Sequence, residues 1–367
     1  MDKVLPFGLR SAPLIFSTVA NALEWIMLRQ GVTWVAHYLD DFLTVGNCGS
    51  SECQDNMSVM TSVCGKAGLP IESSKTVGPA ANIIFLGMEL DSWDGVIRLP
   101  ADKLQDLKRL LRIWREKKAC RKRELLSLLG ILNHACKAVC AGRSFLRRLI
   151  DLSTSVKKLD HFIRLNANAR SDIEWWYQFA QTWNGVSLLS SLNKQSPAAI
   201  ITSDASGSWG CGAVCGKEWF HLSWDGMLSH SHITVKELTP VVIAVAVWGQ
   251  RWKGESLLVR SHNMATVSII NSGTSHNKEA MHLTRSLAFI AAKFQLTLSA
   301  EHVPGDQNTL ADALSRNNLP LFYSLLPQAQ KHQSQVPKPL LDLLLIRQPD
   351  WTSKQWTDLW NTIFPPG

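Results

Sequence analysis

Acidic residues in two arrangements carry the chemistry that this 367-residue chain could perform. Asp40 and Asp41 are adjacent and separate two short apolar runs, residues 34–39 and 42–45, the pattern of a hairpin with carboxylates at its apex. Asp204, Glu237 and Asp312 are spread across the C-terminal half, each in a different expected element. Carboxylates are hard oxygen donors that suit Mg2+ or Mn2+. Paired divalent ions about 3.5–4 Å apart are the usual means of driving phosphoryl transfer or phosphodiester hydrolysis. Two aspartates on a hairpin are a weak signal alone, because any tight turn favours them.

The elements that must position these groups are legible from periodicity and turn residues. In the first hundred residues the pattern predicts a helix over 14–30 stopped by Gly31, the carboxylate hairpin, and a helix over 52–67. A second hairpin follows, with strands at 83–90 and 96–99 around Ser92-Trp93-Asp94-Gly95. Helices are expected at 102–118, 123–152 and 166–183, then a Ser-rich linker at 187–197. Beyond it come strands at 199–204, 209–215, 219–224, 257–260 and 296–302, with helices at 232–250, 264–271, 278–294 and 310–316. The order predicts an α+β/α/β multidomain chain. Its expected parts are 1–100, a helical segment 101–186, the linker, a mixed five-stranded α/β domain 198–318 and a tail 319–367, in which Trp351, Trp356 and Trp360 share a helical spacing.

Composition narrows the function classes. At 46% hydrophobic and 19% charged residues the chain buries real cores. The longest apolar run, 240–248, is too short for a membrane span, and the N-terminus lacks a signal-peptide pattern, so no membrane partner and a cytoplasmic or nuclear location are expected. The eight cysteines then read as reduced thiols. His134, Cys136 and Cys140 match no standard zinc spacing and are read as packing, as are Cys211 and Cys215. The net charge of +8 is concentrated: residues 101–150 hold 14 Lys and Arg against four Asp and Glu, a net of +10, leaving −2 for the remainder. Lys108, Arg109, Arg112, Arg115, Lys117, Lys118, Arg121, Lys122 and Arg123, extended by Arg143, Arg147 and Arg148, suit a phosphate backbone, although a merely solvated helical face gives the same pattern.

The segments Leu5-Pro6-Phe7-Gly8-Leu9-Arg10-Ser11-Ala12-Pro13, Tyr38-Leu39-Asp40-Asp41 and Phe85-Leu86-Gly87 occur in the order seen in reverse transcriptases, which this part of the chain resembles. The resemblance implies a partial polymerase palm. The stretch around Gly8 would meet the incoming nucleotide and template, and Asp40 would be a metal ligand with Asp41 supporting it. Lys75 would lie near the nucleotide phosphates, and Phe85–Gly87, in the first strand of the second hairpin, would form the primer grip. The family takes a further metal-binding aspartate from a strand upstream of the Leu-Pro-Phe-Gly segment, and this chain begins four residues before that segment. The expectation is that the chain alone does not polymerise, with a second chain supplying the missing palm and fingers left open.

The C-terminal half resembles the ribonuclease H domains of retroelements. That resemblance implies that Asp204, Glu237 and Asp312 hold Mg2+ or Mn2+ for cleavage of RNA in an RNA–DNA hybrid, with His302 assisting product release. The 101–186 helices would be a thumb or connection gripping hybrid and duplex through Arg112, Lys118 and Arg121. The family has an aspartate in the fourth strand before the position of Asn263, and this chain has His262 there. Histidine is a poor Mg2+ ligand, so impaired cleavage is expected, with His262→Asp restoring it and sequence decay as the origin of the change. The phrasing of 5–13, 38–43, 123–151 and 301–318 looks closest to tyrosine-recombinase retrotransposons of the DIRS and Ngaro type. The alternative is a catalytically dead nucleic-acid-binding protein, decayed or host-adopted. A cellular ribonuclease H fits poorly with the palm motifs, and residues 117–123 also read as a nuclear import signal.

Overall fold

The computed structural model describes residues 8–182, 184–187, 197–224, 229–345 and 361. The chain divides into two compact units, Met1–Pro100 and Ala101–Gly367.

In the first unit, helix α1 (Ala12–Arg29) starts with Pro13 in its first turn, where a missing N–H costs nothing. It buries Ala20, Leu23 and Met27 on one stripe. The hairpin of β1 (Val35–Tyr38) and β2 (Asp41–Thr44) and helix α2 (Glu52–Lys66) close over that stripe. Their core is Leu23, Met27, Val32, Val35, Met60, Val63 and Cys64. Strands β3 (Asn82–Phe85), β4 (Met88–Asp91) and β5 (Val96–Arg98) run as an antiparallel meander. The expected single strand over 83–90 is therefore two strands joined by a tight turn. Leu86 (φ 49°) and Gly87 (φ 73°) both adopt left-handed backbone, the combination that a two-residue hairpin turn requires. Phe85–Gly87 thus forms a hairpin apex rather than the interior of a strand.

The second unit begins with α3 (Ala101–Glu116), which buries Leu107, Leu111 and Trp114 at helical spacing. Then come β6 (Ala119–Arg121), α4 (Lys122–Ala135), α5 (Arg147–Thr154), β7 (Phe162–Arg164) and α6 (Ala167–Thr182), with β6 and β7 paired antiparallel. The continuous helix expected over 123–152 is broken by a 3-10 segment, Cys140–Phe145. There Gly142 lies against the indole of the fully buried Trp176, where an added methyl would collide. The break is imposed by α6, far away in sequence.

The remaining strands are β8 (Ala199–Ala205), β9 (Gly210–Cys215), β10 (Glu218–Ser223), β11 (Ser256–Ser261) and β12 (Thr297–His302). They form one sheet in the order β10-β9-β8-β11-β12. The first three are antiparallel, and β11 is parallel to both of its neighbours. This is the mixed five-stranded sheet expected over 198–318, and the α+β/α/β class expected from the sequence is the observed one. Helices α7 (Ile233–Trp248), α8 (Met264–Ser272), α9 (Lys278–Lys293), α10 (Thr309–Ser315), α11 (Leu319–Leu325) and α12 (Lys338–Leu345) complete the unit. The segment Ile233–Trp252 is long and apolar enough to cross a membrane by length and composition, but 83% of it is buried inside the fold. It is the core helix on which the sheet rests.

The basic helices and the sheet domain pack as one body. Phe145 meets Trp175 at 5.1 Å between ring centroids, and Trp175 meets Phe289 of α9 at 5.1 Å. Ser144 donates a hydrogen bond to the Gly273 carbonyl (2.9 Å), and the buried Asp172 of α6 is approached by Arg148 (3.3 Å) and Arg285 of α9 (3.8 Å). The stretch after Asn318 also belongs to this packing. Phe322 is fully buried, 5.2 Å from the ring of Trp219, while the amides of Gln330 and Ser334 donate to the carbonyls of Lys217 and Trp219. Residues 1–7, most of the 187–197 linker, and Trp351, Trp356 and Trp360 lie outside the described residues.

Candidate active site

The two acidic arrangements meet different fates. In the first unit, Tyr38 pairs with Asp41 across the hairpin, leaving Leu39 and Asp40 as the turn. Leu39 takes φ 52°, left-handed backbone that residues other than glycine adopt uncommonly. Asp40 and Asp41 are both exposed, and among the described residues no third His, Cys, Asp or Glu gathers with them. The hairpin is braced from below: His37 Nε2 sits 2.9 Å from Asn21 Oδ1 and 3.3 Å from Glu24 Oε2 of α1. Gly8 (φ 87°) is exposed before α1, and Lys75 ends an exposed 3-10 turn, Ser73–Lys75.

In the second unit, strand and helix ends converge. Asp204 comes from the end of the central strand β8, Glu237 from the first turns of α7, His262 from the residue after β11, and Asp312 from α10. Ligand atoms of Asp204, Glu237 and His262 lie within 4.8 Å of one another. His262 Nδ1 is 2.7 Å from Asp204 Oδ1, and its Nε2 is 3.4 Å from Glu237 Oε1.

Asp204 is well supported. Its Oδ1 also accepts from Asn308 Nδ2 (3.0 Å), and its Oδ2 accepts from Ser315 Oγ (2.7 Å). Burial raises its pKa above the usual carboxylate range, an effect opposed by the Ser315 hydrogen bond. Glu237 is the reverse case. It is fully buried and neither oxygen accepts a hydrogen bond of good geometry; the Ala205 amide only weakly favours its charged form. Burial, and after it the Asp204 charge, pushes the Glu237 carboxyl up to about 9. The adjacent Lys236, also buried, is directed elsewhere: its Nζ donates to the carbonyls of Gly207 and Ser229 and pins the loop after β8. Asp312 stands outside the tight cluster. It is half-exposed and bonded to Arg316 Nε (2.7 Å), close enough for its charge to act on Asp204. His302, exposed at the end of β12, is opposite Ser261 in register.

Asn308, Ser315 and Lys236 are the functional neighbours that sequence reasoning missed. Asn308 and Ser315 flank Asp312, but nothing local shows that both reach back to the first strand.

A buried carboxyl group without a good hydrogen-bond donor either keeps its proton or gives it up to something positive that takes its place. The donor set therefore fits a divalent cation, with Asp204, Glu237 and His262 as the residues able to hold it.

The basic surface is smaller than the sequence count. Arg115 pairs with Glu174 (2.6 Å) and stacks on Tyr177; Lys117 pairs with Glu124 (2.8 Å); Arg123 pairs with Asp160 (3.2 Å); and Arg147 pairs with Asp151 (2.7 Å). Arg109 pairs with Asp106, Lys122 Nζ donates to the Val156 carbonyl, and Arg121 lies over Phe162 with Asp160 at 4.0 Å. Arg112 and Lys118 are exposed and carry no such structural commitment among the described residues. His134 and Cys136 join no metal-binding cluster there either, and the Cys140 side chain lies outside them.

Fold and site together define a mixed α/β chain in which two carboxylates and an imidazole able to hold a divalent cation meet at the ends of the five-stranded sheet. Residues 1–90 match the family model described as reverse transcriptase (RNA-dependent DNA polymerase). The chain is 25% identical over 329 residues to Polyprotein P3 of Commelina yellow mottle virus, covering 85% of this chain and 16% of that protein. It is 23% identical over 349 residues to the enzymatic polyprotein of carnation etched ring virus, covering 86% and 46%. With the enzymatic polyprotein of Cestrum yellow leaf curling virus it shares 25% over 333 residues, covering 86% and 48%. The chain thus spans less than half the length of each of these relatives. Among solved structures it is similar to the foamy viral protease–reverse transcriptase with RNA/DNA hybrid (TM-score 0.44, 13% identity, 81% of this chain and 39% of that one). The same protein with dsDNA gives a TM-score of 0.42 at 14% identity, over 81% and 60%. The family match and the viral relatives support a reverse transcriptase-containing retroelement lineage.

Proposed function

We propose that this chain is the palm–thumb–ribonuclease H portion of a retroelement reverse transcriptase, of the DIRS/Ngaro type, and that its C-terminal domain hydrolyses RNA in RNA–DNA hybrids. The observation that carries this reading is the convergence of Asp204, Glu237 and His262 at the ends of β8, α7 and β11, with Glu237 buried and unsatisfied. A divalent cation bound there supplies the Lewis acid for phosphodiester hydrolysis. The chain's own groups do the rest. Asn308 and Ser315 hold Asp204 in place, Lys236 fixes the loop after β8, and Arg112 and Lys118 offer charge to phosphates. The domains proposed are 1–100 palm, 101–186 thumb or connection, and 198–318 ribonuclease H-like.

His262 weakens this activity with Mg2+, because an imidazole replaces an oxygen donor and removes a negative charge. Cleavage of a labelled hybrid by wild type and His262→Asp in Mg2+ tests the proposal. A gain in the variant supports it, and equal rates overturn it. A second reading, a nucleic-acid grip without turnover, is favoured by the placement of His262 between the two carboxylates, where an ion would go. It requires hybrid affinity that falls steeply with salt while neither protein cleaves.

A further inference from the structure

Asp204 and Glu237 differ in a way that assigns His262 a role beyond that of a damaged ligand. Both Asp204 oxygens accept hydrogen bonds, from Asn308 and Ser315, with His262 Nδ1 2.7 Å from one of them, whereas neither oxygen of the fully buried Glu237 accepts a hydrogen bond of good geometry. His262 Nδ1 lies 2.7 Å from Asp204 Oδ1 and its Nε2 3.4 Å from Glu237 Oε1, so a neutral ring with its proton on Nδ1 would turn the Nε2 lone pair toward Glu237. A histidine oriented through one nitrogen by a carboxylate, with the other nitrogen aimed at an acidic oxygen, is how imidazole is presented to a metal ion. The spacing agrees. Two donors each about 2.1 Å from one ion are about 3.4 Å apart at a tetrahedral angle and about 3.0 Å apart at a right angle. Nε2 and Glu237 Oε1 are 3.4 Å apart.

We propose that Glu237 and His262 Nε2 form a single-ion site for a divalent transition metal of the Mn2+/Co2+/Zn2+ class, selective against Mg2+, with Asp204 as the positioning residue for His262. The inference deepens the hydrolase reading by replacing a pair of Mg2+ ions with one borderline ion on a mixed nitrogen–oxygen donor set. Imidazole favours such ions, while Mg2+ demands oxygen and keeps its waters.

The test is titration of the full chain with Mn2+, read by the electron paramagnetic resonance of free Mn2+, with Mg2+ as competitor and Co2+ visible absorption as a second probe. The expected result is one saturable Mn2+ per chain that excess Mg2+ does not displace. Co2+ should give d–d bands without the intense thiolate charge transfer that exposed Cys48 would produce. Glu237→Gln should abolish uptake, and Asp204→Asn should weaken it roughly 10- to 100-fold. His262→Asn, which keeps a donor toward Asp204 but lacks an atom at Nε2, should lose uptake while its circular dichroism and melting remain those of a folded protein. His262→Asp should let Mg2+ compete. Absence of stoichiometric Mn2+ uptake by the folded wild type, or uptake unchanged in His262→Asn, overturns the proposal. Since the readout is binding, Mn2+ uptake without hybrid cleavage refutes the hydrolase reading alone. Cleavage driven equally by Mg2+ and Mn2+ refutes this inference alone.

Discussion

The Asp40–Asp41 hairpin and the Asp204–Glu237–His262 cluster both present carboxylates, yet they present them in opposite ways. Asp40 and Asp41 are neighbours in sequence and exposed at a tight turn, and among the described residues no third His, Cys, Asp or Glu gathers with them. Asp204 and Glu237 come from different elements and meet in a buried place, with His262 between them. Adjacent residues on a turn cost the fold little and do little alone. Buried acids from separate elements strain the fold and are retained where something positive is to be bound. The difference teaches that a carboxylate's surroundings, more than its motif, decide how strongly it is poised to bind a cation.

The largest effect that would sharpen this contrast lies at His262. With Mg2+, His262→Asp should raise hybrid cleavage by about 10- to 100-fold, and Asp204→Asn on that background should remove the gain entirely. A gain that survives Asp204→Asn would break the link between cluster and chemistry.

Next in size is nucleic-acid affinity. Arg112→Ala and Lys118→Ala should each weaken hybrid binding and lower the slope of log K against log salt by about 1, as measured by fluorescence anisotropy. Arg115→Ala should instead lower the melting temperature by a few degrees, since that side chain is spent on Glu174 and Tyr177. Equal salt slopes for all three variants would contradict the division between free and committed cations.

A smaller effect comes from Glu237 in chelator. Its folded carboxyl titrates near 9 against an ordinary 4.5, so the folded state holds a proton that the unfolded chain has released. The resulting stabilisation is fully present below about pH 4.5 and is lost as pH rises toward 9. Thermal melts between pH 5 and 9 should therefore show wild type losing stability relative to Glu237→Gln, and parallel curves would contradict the burial cost. The smallest effect belongs to the Asp40–Asp41 hairpin: Asp40 is exposed at its turn, so Asp40→Asn should leave the melting temperature within about 1–2 °C of wild type.

Much of this was legible beforehand, for physical reasons. Strands such as 199–205 and 256–261 carry branched apolar runs bounded by polar turns, and α9 shows a clean apolar stripe, so period and punctuation located them. The break at 140–145 was not legible, because it depends on Gly142 meeting Trp176 from another helix. Nor was the Leu86-Gly87 turn, which lacks the Asn or Asp that usually announces left-handed backbone. At the site, Asp204, Glu237 and His262 were singled out by the resemblance to retroelement ribonuclease H domains, and the structure brings the three together. The support of Asp204 by Asn308 and Ser315, and the isolation of Glu237, are properties of three-dimensional burial. Likewise the basic run 108–123 reads as one surface, but pairing with Glu174, Glu124 and Asp160 withdraws several of its charges.

The most direct measurement of the central claim is single-turnover cleavage of an end-labelled RNA–DNA hybrid by the wild-type chain in Mn2+, beside its Asp204→Asn variant. The account predicts slow cutting of the RNA strand that disappears in the variant and is absent on RNA–RNA and DNA–DNA duplexes. Cutting that persists unchanged without the Asp204 carboxylate, or that ignores the hybrid, would contradict it.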